Sequence, residues 1–389
     1  MKKSVFKSIL RGVALLLVLA MIPLALLSCA TPDDDDDKSK KDIEQTDPAK
    51  EKQLAEAKAF IEAGDYAAAY EIFEALGDYK GADKELKKFR FMPTKVTYKE
   101  IDNGDVDSLE TYIVSYGKNG LPQKLTETDN DGDKRVTEYV YDENGNRTKE
   151  TVTEPNGDKI TSEYTYDKDN NLIKKVHTDK NGNTSTYEYT FDDKGNSVKS
   201  VYLRGDYKIV TEHTYDENGN CTGSVNKQYR GETLVDTNTY AYTYDENGNL
   251  IEDVRTSDRG TETYTMTYDE RGNCITVSSY DSYYGGYSTY AEYTYDEKDN
   301  CILQVRTLTN GETMIITYTY DENGNLIREV KGDNDIYEYT YDEHENLIKY
   351  ENKWENDSES VEAEYKLVYI PTEMTDEEYE ALIFEFVEY

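Results

Sequence analysis

The sequence predicts a mainly β protein: a long antiparallel array of β-hairpin repeats, as a curled sheet or open shell, with a small N-terminal α-helical segment and a C-terminal helix. Three observations lead there. The unit YTYDENGNL at 242–250 recurs, its second tyrosine returning as Tyr141, Tyr166, Phe191, Tyr215, Tyr244, Tyr268, Tyr295, Tyr320 and Tyr341. Upstream of most copies, aromatic residues alternate with Thr, Glu or Ala, as in Tyr187, Tyr189 and Phe191, the period of a strand with one aromatic face. Turn signals such as Asn144-Gly145, Asn156-Gly157 and Asn181-Gly182 fall about every 12–13 residues, a cadence for roughly 20 antiparallel strands.

Composition narrows the function classes. Of 389 residues, 81 are Asp or Glu and 44 Lys or Arg, a net charge of −37. Tyr supplies 38 residues of the 36% apolar fraction, so a thick aliphatic core or a polytopic helical membrane protein is not expected. The aromatic and β-branched content argues against disorder, and the acidity against nucleic-acid binding, which needs a basic footprint.

Residues 1–28 pair a basic start (Lys2, Lys3, Lys7, Arg11) with an apolar run broken by Pro23, which is short for a membrane span and suits a signal peptide. The run ends at Leu26, Leu27, Ser28 and Cys29 and resembles the lipobox of bacterial lipoproteins. That resemblance implies cleavage before Cys29, acylation of its thiol, and a membrane partner through the lipid, on the extracytoplasmic face or envelope surface. Cleavage would remove four positive charges, giving −37 − 4 = −41. Residues 29–47, with five consecutive aspartates at 33–37, read as an acidic disordered tether.

Residues 48–91 read as helical. Leu54, Ala57, Phe60 and Ile61 share one face, then Ala68, Ala69, Ile72, Phe73 and Leu76, then Ala82, Leu86 and Phe89. The pattern resembles a tetratricopeptide-like unit and a half, too few repeats to bury a core alone, so a cap or stalk is expected.

Residues 93–370 are the repeat array. The motif tyrosines step by 25, 25, 24, 29, 24, 27, 25 and 21 residues, with degenerate copies near Tyr116 and Tyr369 that read as terminal caps. These units resemble YD repeats of the Rhs type, which implies a curled β shell. The Asn-Gly pairs read as two-residue turns with both residues left-handed. Parity does not decide which way Ile251, Ile327 and Ile348 face, since each adjoins a leucine. The chain departs from Rhs toxins in having neither a Pro- and Asp-rich self-cleaving core nor a toxin domain, so neither activity is carried over. Residues 371–389 begin a helix with a capping box at Thr375 to Glu378, expected as a C-terminal cap.

No catalytic constellation emerges, and no cofactor or metal is expected. His177, His213 and His344 lie in different repeats and read as drift. Asp129, Asp131 and Asp133 mimic a calcium loop, but the glycine comes early and position twelve is Val140, so a turn is expected. Cys221, Cys274 and Cys301 each fall six residues after a motif tyrosine, where other repeats have leucine. They read as small core residues two strands apart, about 9–10 Å, too far for a disulfide. The candidate ligand site is the charge-poor hairpin of Tyr280, Tyr283, Tyr284 and Tyr287, since exposed tyrosines bind sugars and peptides well. The expected function is a non-catalytic cell-surface lipoprotein whose array is a scaffold or binding and adhesion module, with a cell-wall glycan or surface protein as partner. The alternative is an envelope enzyme or processing factor acting on glycans. A packed Tyr–Leu interior would favour the first, and converging buried carboxylates the second.

Overall fold

The computed structural model describes residues 47–282, 286–308, 310–332, 335–354 and 357–370. The chain divides into two compact units. One holds the helices, residues up to Val96, Tyr112–Leu125 and the segment from Ala363; the other is Thr97–Thr111 with Thr126–Glu362.

In the first unit, α1 (Pro48–Ala63) starts at Asp47, whose carboxylate accepts from the amides of Ala49 at 2.9 Å and Lys50 at 3.4 Å, with Pro48 at the first helical position. Gly64 ends it at φ 81°, and Asp65 caps α2 (Tyr66–Leu76). A 3-10 turn (Tyr79–Gly81) leads into α3 (Ala82–Leu86). The expected third stripe therefore stops at Leu86, and Phe89 opens a strand. Ala57, Ala69, Phe73, Leu76, Ala82 and Phe89 form the buried cluster, with Leu367 and Tyr369 packed on it. Phe89 and Tyr369 meet edge to face at 5.1 Å, and the Tyr369 hydroxyl donates to Glu85 at 2.6 Å. A helical stripe too short to bury itself is thus covered by strand ends rather than by further helices.

The strands are β1 (Phe89–Asp102), β2 (Asp105–Tyr116), β3 (Pro122–Thr128), β4 (Lys134–Tyr141), β5 (Arg147–Thr153), β6 (Lys159–Tyr166), β7 (Leu172–Thr178), β8 (Thr184–Phe191), β9 (Ser197–Arg204), β10 (Tyr207–Tyr215) and β11 (Cys221–Arg230). They continue as β12 (Thr233–Tyr244), β13 (Leu250–Ser257), β14 (Gly260–Tyr268), β15 (Cys274–Asp281), β16 (Gly286–Tyr295), β17 (Cys301–Leu308), β18 (Thr313–Tyr320), β19 (Leu326–Lys331), β20 (Asp335–Tyr341), β21 (Leu347–Trp354) and β22 (Asp357–Tyr369). Neighbours in sequence pair antiparallel, as β4 to β5, β10 to β11 and β21 to β22 do.

Closure corrects the expectation of a curled sheet or open shell. Strand β1 pairs with β22 as well as with β2, so the 22-stranded antiparallel ladder is a closed barrel in its pairing. At that seam the Ile370 amide donates to the Lys88 carbonyl at 2.9 Å, Lys95 meets Glu364 at 3.0 Å, and the Asn103 amide donates to Asp357 at 3.0 Å. The ends of the array are therefore not open caps: β22, which ends at the Tyr369 copy, pairs with β1, the strand ahead of the Tyr116 copy, and both edges are removed. The expected C-terminal helix at 371–389, with its capping box, lies outside the described residues, which end at Ile370.

The turns also differ from expectation. In Asp245–Asn249 the Gly248 amide donates to the Asp245 carbonyl at 3.1 Å, and the Asp245 amide to the Asn249 carbonyl at 2.9 Å. Gly248 has φ 86° while Asn247 is not left-handed. This is a type I turn followed by a left-handed glycine, not a two-residue turn. The bulge that follows settles the parity question. Thr243 pairs with Glu252 and Tyr244 with Leu250, so Ile251 is an extra residue outside the alternation. The same shift precedes Tyr268, Tyr295, Tyr320 and Tyr341.

Candidate functional site

Each Tyr-Asp pair serves the scaffold. The Asp245 carboxylate accepts from the amides of Asn247 and Asn249 at 2.9 and 2.8 Å and from the Asn249 side chain at 2.9 Å. The same clasp is built at Asp167, Asp192, Asp216 and Asp321. Its Asn325 hydrogen bond holds the Asp321 carboxyl below its ordinary value. The tyrosine reaches back one repeat: Tyr244 donates to the Cys221 carbonyl at 2.9 Å, Tyr295 to that of Cys274 and Tyr320 to that of Cys301, both at 2.8 Å. The motif thus ties each turn internally and each repeat to the previous one.

Variation lies elsewhere on the tyrosine-bearing face. Three residues past the first strand residue after each turn stand Glu150, Lys175, Ser200, Ser224, Asp253, Val277, Gln304, Glu329 and Tyr350. Five past it stand Val152, His177, Tyr202, Asn226, Arg255, Ser279, Arg306, Lys331 and Asn352. These two columns are where one repeat can differ chemically from the next.

Polar groups converge at the last four strands. Glu329, Tyr337, Asn352 and Glu359 are successive cross-strand partners on β19 to β22, exposed by 1, 4, 2 and 6%. Lys331 lies 3.2 Å from Glu329 and 4.2 Å from the Tyr337 ring centre, and Tyr339 donates to Glu329 at 3.4 Å. Asn352 Oδ1, Glu359 Oε2 and the Tyr350 hydroxyl are buried without a hydrogen-bond partner. Burial first, then the charge of Glu100 on β1, pushes the Glu359 carboxyl up to about 7. The interior is therefore not the uniform Tyr–Leu layer that the repeat suggests. Sequence reasoning passed over these groups, yet both columns are visible as the variable positions of the repeat.

The candidate hairpin is only partly defined. Tyr280, one residue before the end of β15, is 44% exposed and pairs with Tyr287 of β16 at a register shift. Tyr283 and Tyr284 fall outside the described residues, as does Cys29. Nearby, Tyr290 is 39% exposed and donates to Glu292 at 3.0 Å. The calcium-like stretch is a turn of the common type: Asp129 accepts from the Asp131 and Asp133 amides at 3.0 and 2.9 Å. Among the described residues, no group of three or more His, Cys, Asp or Glu could hold a metal ion. Cys221, Cys274 and Cys301 are free and half-buried. Burial pushes the Cys274 and Cys301 thiols up to about 11. A shallow depression of about 430 Å³ lies on β12 and β13 beside the exposed Leu234 and Val235.

No family model matches the sequence, and no curated protein does. Among solved structures the chain is similar to TcdB2-TccC3 lacking its hypervariable C-terminal region, at 15% identity and a TM-score of 0.32, over 66% of this chain and 16% of that one. A porin-like protein from Bacteroides uniformis aligns at 14% identity and 0.26, over 70% and 96%. One from Bacteroides vulgatus aligns at 12% and 0.21, over 71% and 99%. The chain spans about 16% of the toxin-complex chain. Similarity at this level goes no further than large β structure.

Proposed function

We propose that this is a non-catalytic, lipid-anchored protein of the bacterial cell surface whose YD-type β array is a binding module. The outward face of the strands carries the argument. Glu163, Glu188, Glu212 and Glu338 stand there against Lys149, Lys174, Lys199 and Lys353 on neighbouring strands at 2.9–3.3 Å. A strand crossing lipid would need an apolar band on that face; a lattice of ion pairs belongs in water. Membrane attachment then falls to the acyl group at Cys29, with 29–47 as the tether. Because the repeated Tyr and Asp are occupied by the scaffold, binding falls to the two variable columns and to exposed tyrosines such as Tyr280. The test is a glycan-array and cell-wall pull-down with full-length protein in detergent. Reproducible retention by one glycan or wall fraction is expected, and retention by none would remove the binding role.

One observation favours a second reading, an envelope enzyme acting on glycans. A buried carboxyl raised to about 7 beside a second carboxylate, as Glu359 is beside Glu100, is how acid–base pairs are made. That reading requires glycan cleavage by the wild type that Glu359→Gln abolishes.

A further inference from the structure

The tyrosine-bearing face is not uniform in charge. Strands β6 to β11 contain three carboxylates, Glu163, Glu188 and Glu212. All three lie on the opposite face, paired with lysines. The register places Lys175 between Tyr164 and Tyr187, and Tyr207 between Arg204 and Arg230. The tyrosine face of these six strands therefore carries three permanent cations and no carboxylate. The other strands differ: Asp253, Glu329 and Glu359 stand on the same face of β13, β19 and β22. In a chain of net charge −37, three cations and no carboxylate among the strand residues of this face run against the overall sign; Asp179, in the turn between β7 and β8, is the carboxylate that acts on Arg204 from outside the strands.

The cations lie beside aromatic rings. Lys175 Nζ lies 5.3 Å from the Tyr164 ring centre, and the Arg230 guanidinium 5.7 Å from that of Tyr207. Tyr187 and Tyr202 pair across strands with ring centres 4.7 Å apart, and Tyr207 stands edge-on to Tyr202 at 6.2 Å. The Tyr207 hydroxyl donates to Gln228 at 2.8 Å, fixing its ring. Arg204 and Arg230 are exposed, whereas the rings are half-buried. The surface thus combines ring faces for apolar sugar faces with guanidinium forks that match a carboxylate in two parallel hydrogen bonds.

We propose that the tyrosine face of β6 to β11 is a binding site for an acidic sugar, a ring bearing one carboxylate, with Arg204 and Arg230 taking the carboxylate and Tyr187, Tyr202 and Tyr207 the ring. This rests on the binding-module reading and names its ligand class. Long-range repulsion from the acidic body is screened within about 8 Å at physiological salt, so contact groups decide the outcome, and a short acidic oligosaccharide suits the site better than a polyanion.

The experiment is isothermal titration of full-length protein in detergent with trigalacturonate, with maltotriose as the neutral control and sulfated maltotriose as the non-carboxylate anion. Trigalacturonate is expected to bind, maltotriose at least tenfold more weakly, and the sulfated sugar more weakly than trigalacturonate. Arg204→Ala/Arg230→Ala, at exposed positions, should keep its circular dichroism and lose at least tenfold in affinity. Tyr202→Ala should weaken trigalacturonate binding without restoring preference for the neutral sugar. Equal binding of trigalacturonate and maltotriose, stronger binding of the sulfated sugar, unchanged affinity in the folded double variant, or no trigalacturonate binding at millimolar concentration would each overturn the assignment. A glycan array showing only neutral ligands would overturn it while leaving the binding module intact; failure of acylation would remove the anchor and leave this titration standing.

Discussion

Replacing Glu359 by Gln should remove a pH-dependent loss of stability. Glu359 sits at the closing seam, with Asn352 as its cross-strand partner on β21 and Glu100 and Tyr98 facing it from β1. Protonation removes one of two like charges beside Glu100 and turns a buried, unpartnered acceptor into a donor, on the strand next to the unpartnered Asn352 Oδ1. The shift from the ordinary 4.5 to about 7 corresponds to about 3 kcal/mol at 1.36 kcal/mol per unit. Solvent relaxation at a seam near strand ends reduces this to about 1–2 kcal/mol. Below pH 4.5 the group is protonated folded and unfolded, so this contribution is complete. As pH rises from 4.5 through 7 the unfolded chain ionises first, and native stability falls to a lower plateau above 7. Gln keeps the neutral donor at every pH. Unfolding free energies of variant and wild type from urea titration should agree near pH 4.5 and separate by about 1–2 kcal/mol in favour of the variant at pH 8. A pH-independent difference, or none at pH 8, would refute a neutral Glu359.

Three further outcomes follow from the repeat geometry. Tyr320→Phe removes the hydroxyl that reaches the Cys301 carbonyl and should cost about 1 kcal/mol in urea unfolding, leaving strand content by circular dichroism unchanged. Glu345 occupies the left-handed turn position that most repeats give to glycine, at φ 64°; Glu345→Gly should raise stability by about 0.5–1 kcal/mol, measured as a higher urea midpoint. Cys274 and Cys301, half-buried with raised thiol pKa values, should react slowly with iodoacetamide at pH 7.5 and at ordinary rates in urea, as read by mass spectrometry.

The array was legible because its signals are local. The alternating tyrosines and the Asp-x-x-Gly-Asn turns specify strands and reversals within one 25-residue step, and Asp245 clasps its own turn. Two features were not. The bulge at Ile251 inserts one residue after the turn and shifts the parity of the following strand, so alternation could assign a face to Tyr187 but not to Lys175 or Glu329. Closure joins β1 to β22, strands more than 250 residues apart whose weak repeat character conceals that they are partners. The charge segregation of β6 to β11 follows only once the register that the bulges set is known. Of the candidate hairpin, the pairing of Tyr280 with Tyr287 is described, and its tip is not.

Metabolic labelling with radiolabelled palmitate in a bacterial host reads the lipid tether at Cys29 that we propose for the water-facing β array. Label is expected in the wild-type protein and none in Cys29→Ser, with a mature N-terminus at Cys29 by mass spectrometry. Equal labelling of both proteins, or a mature chain beginning elsewhere, would contradict it.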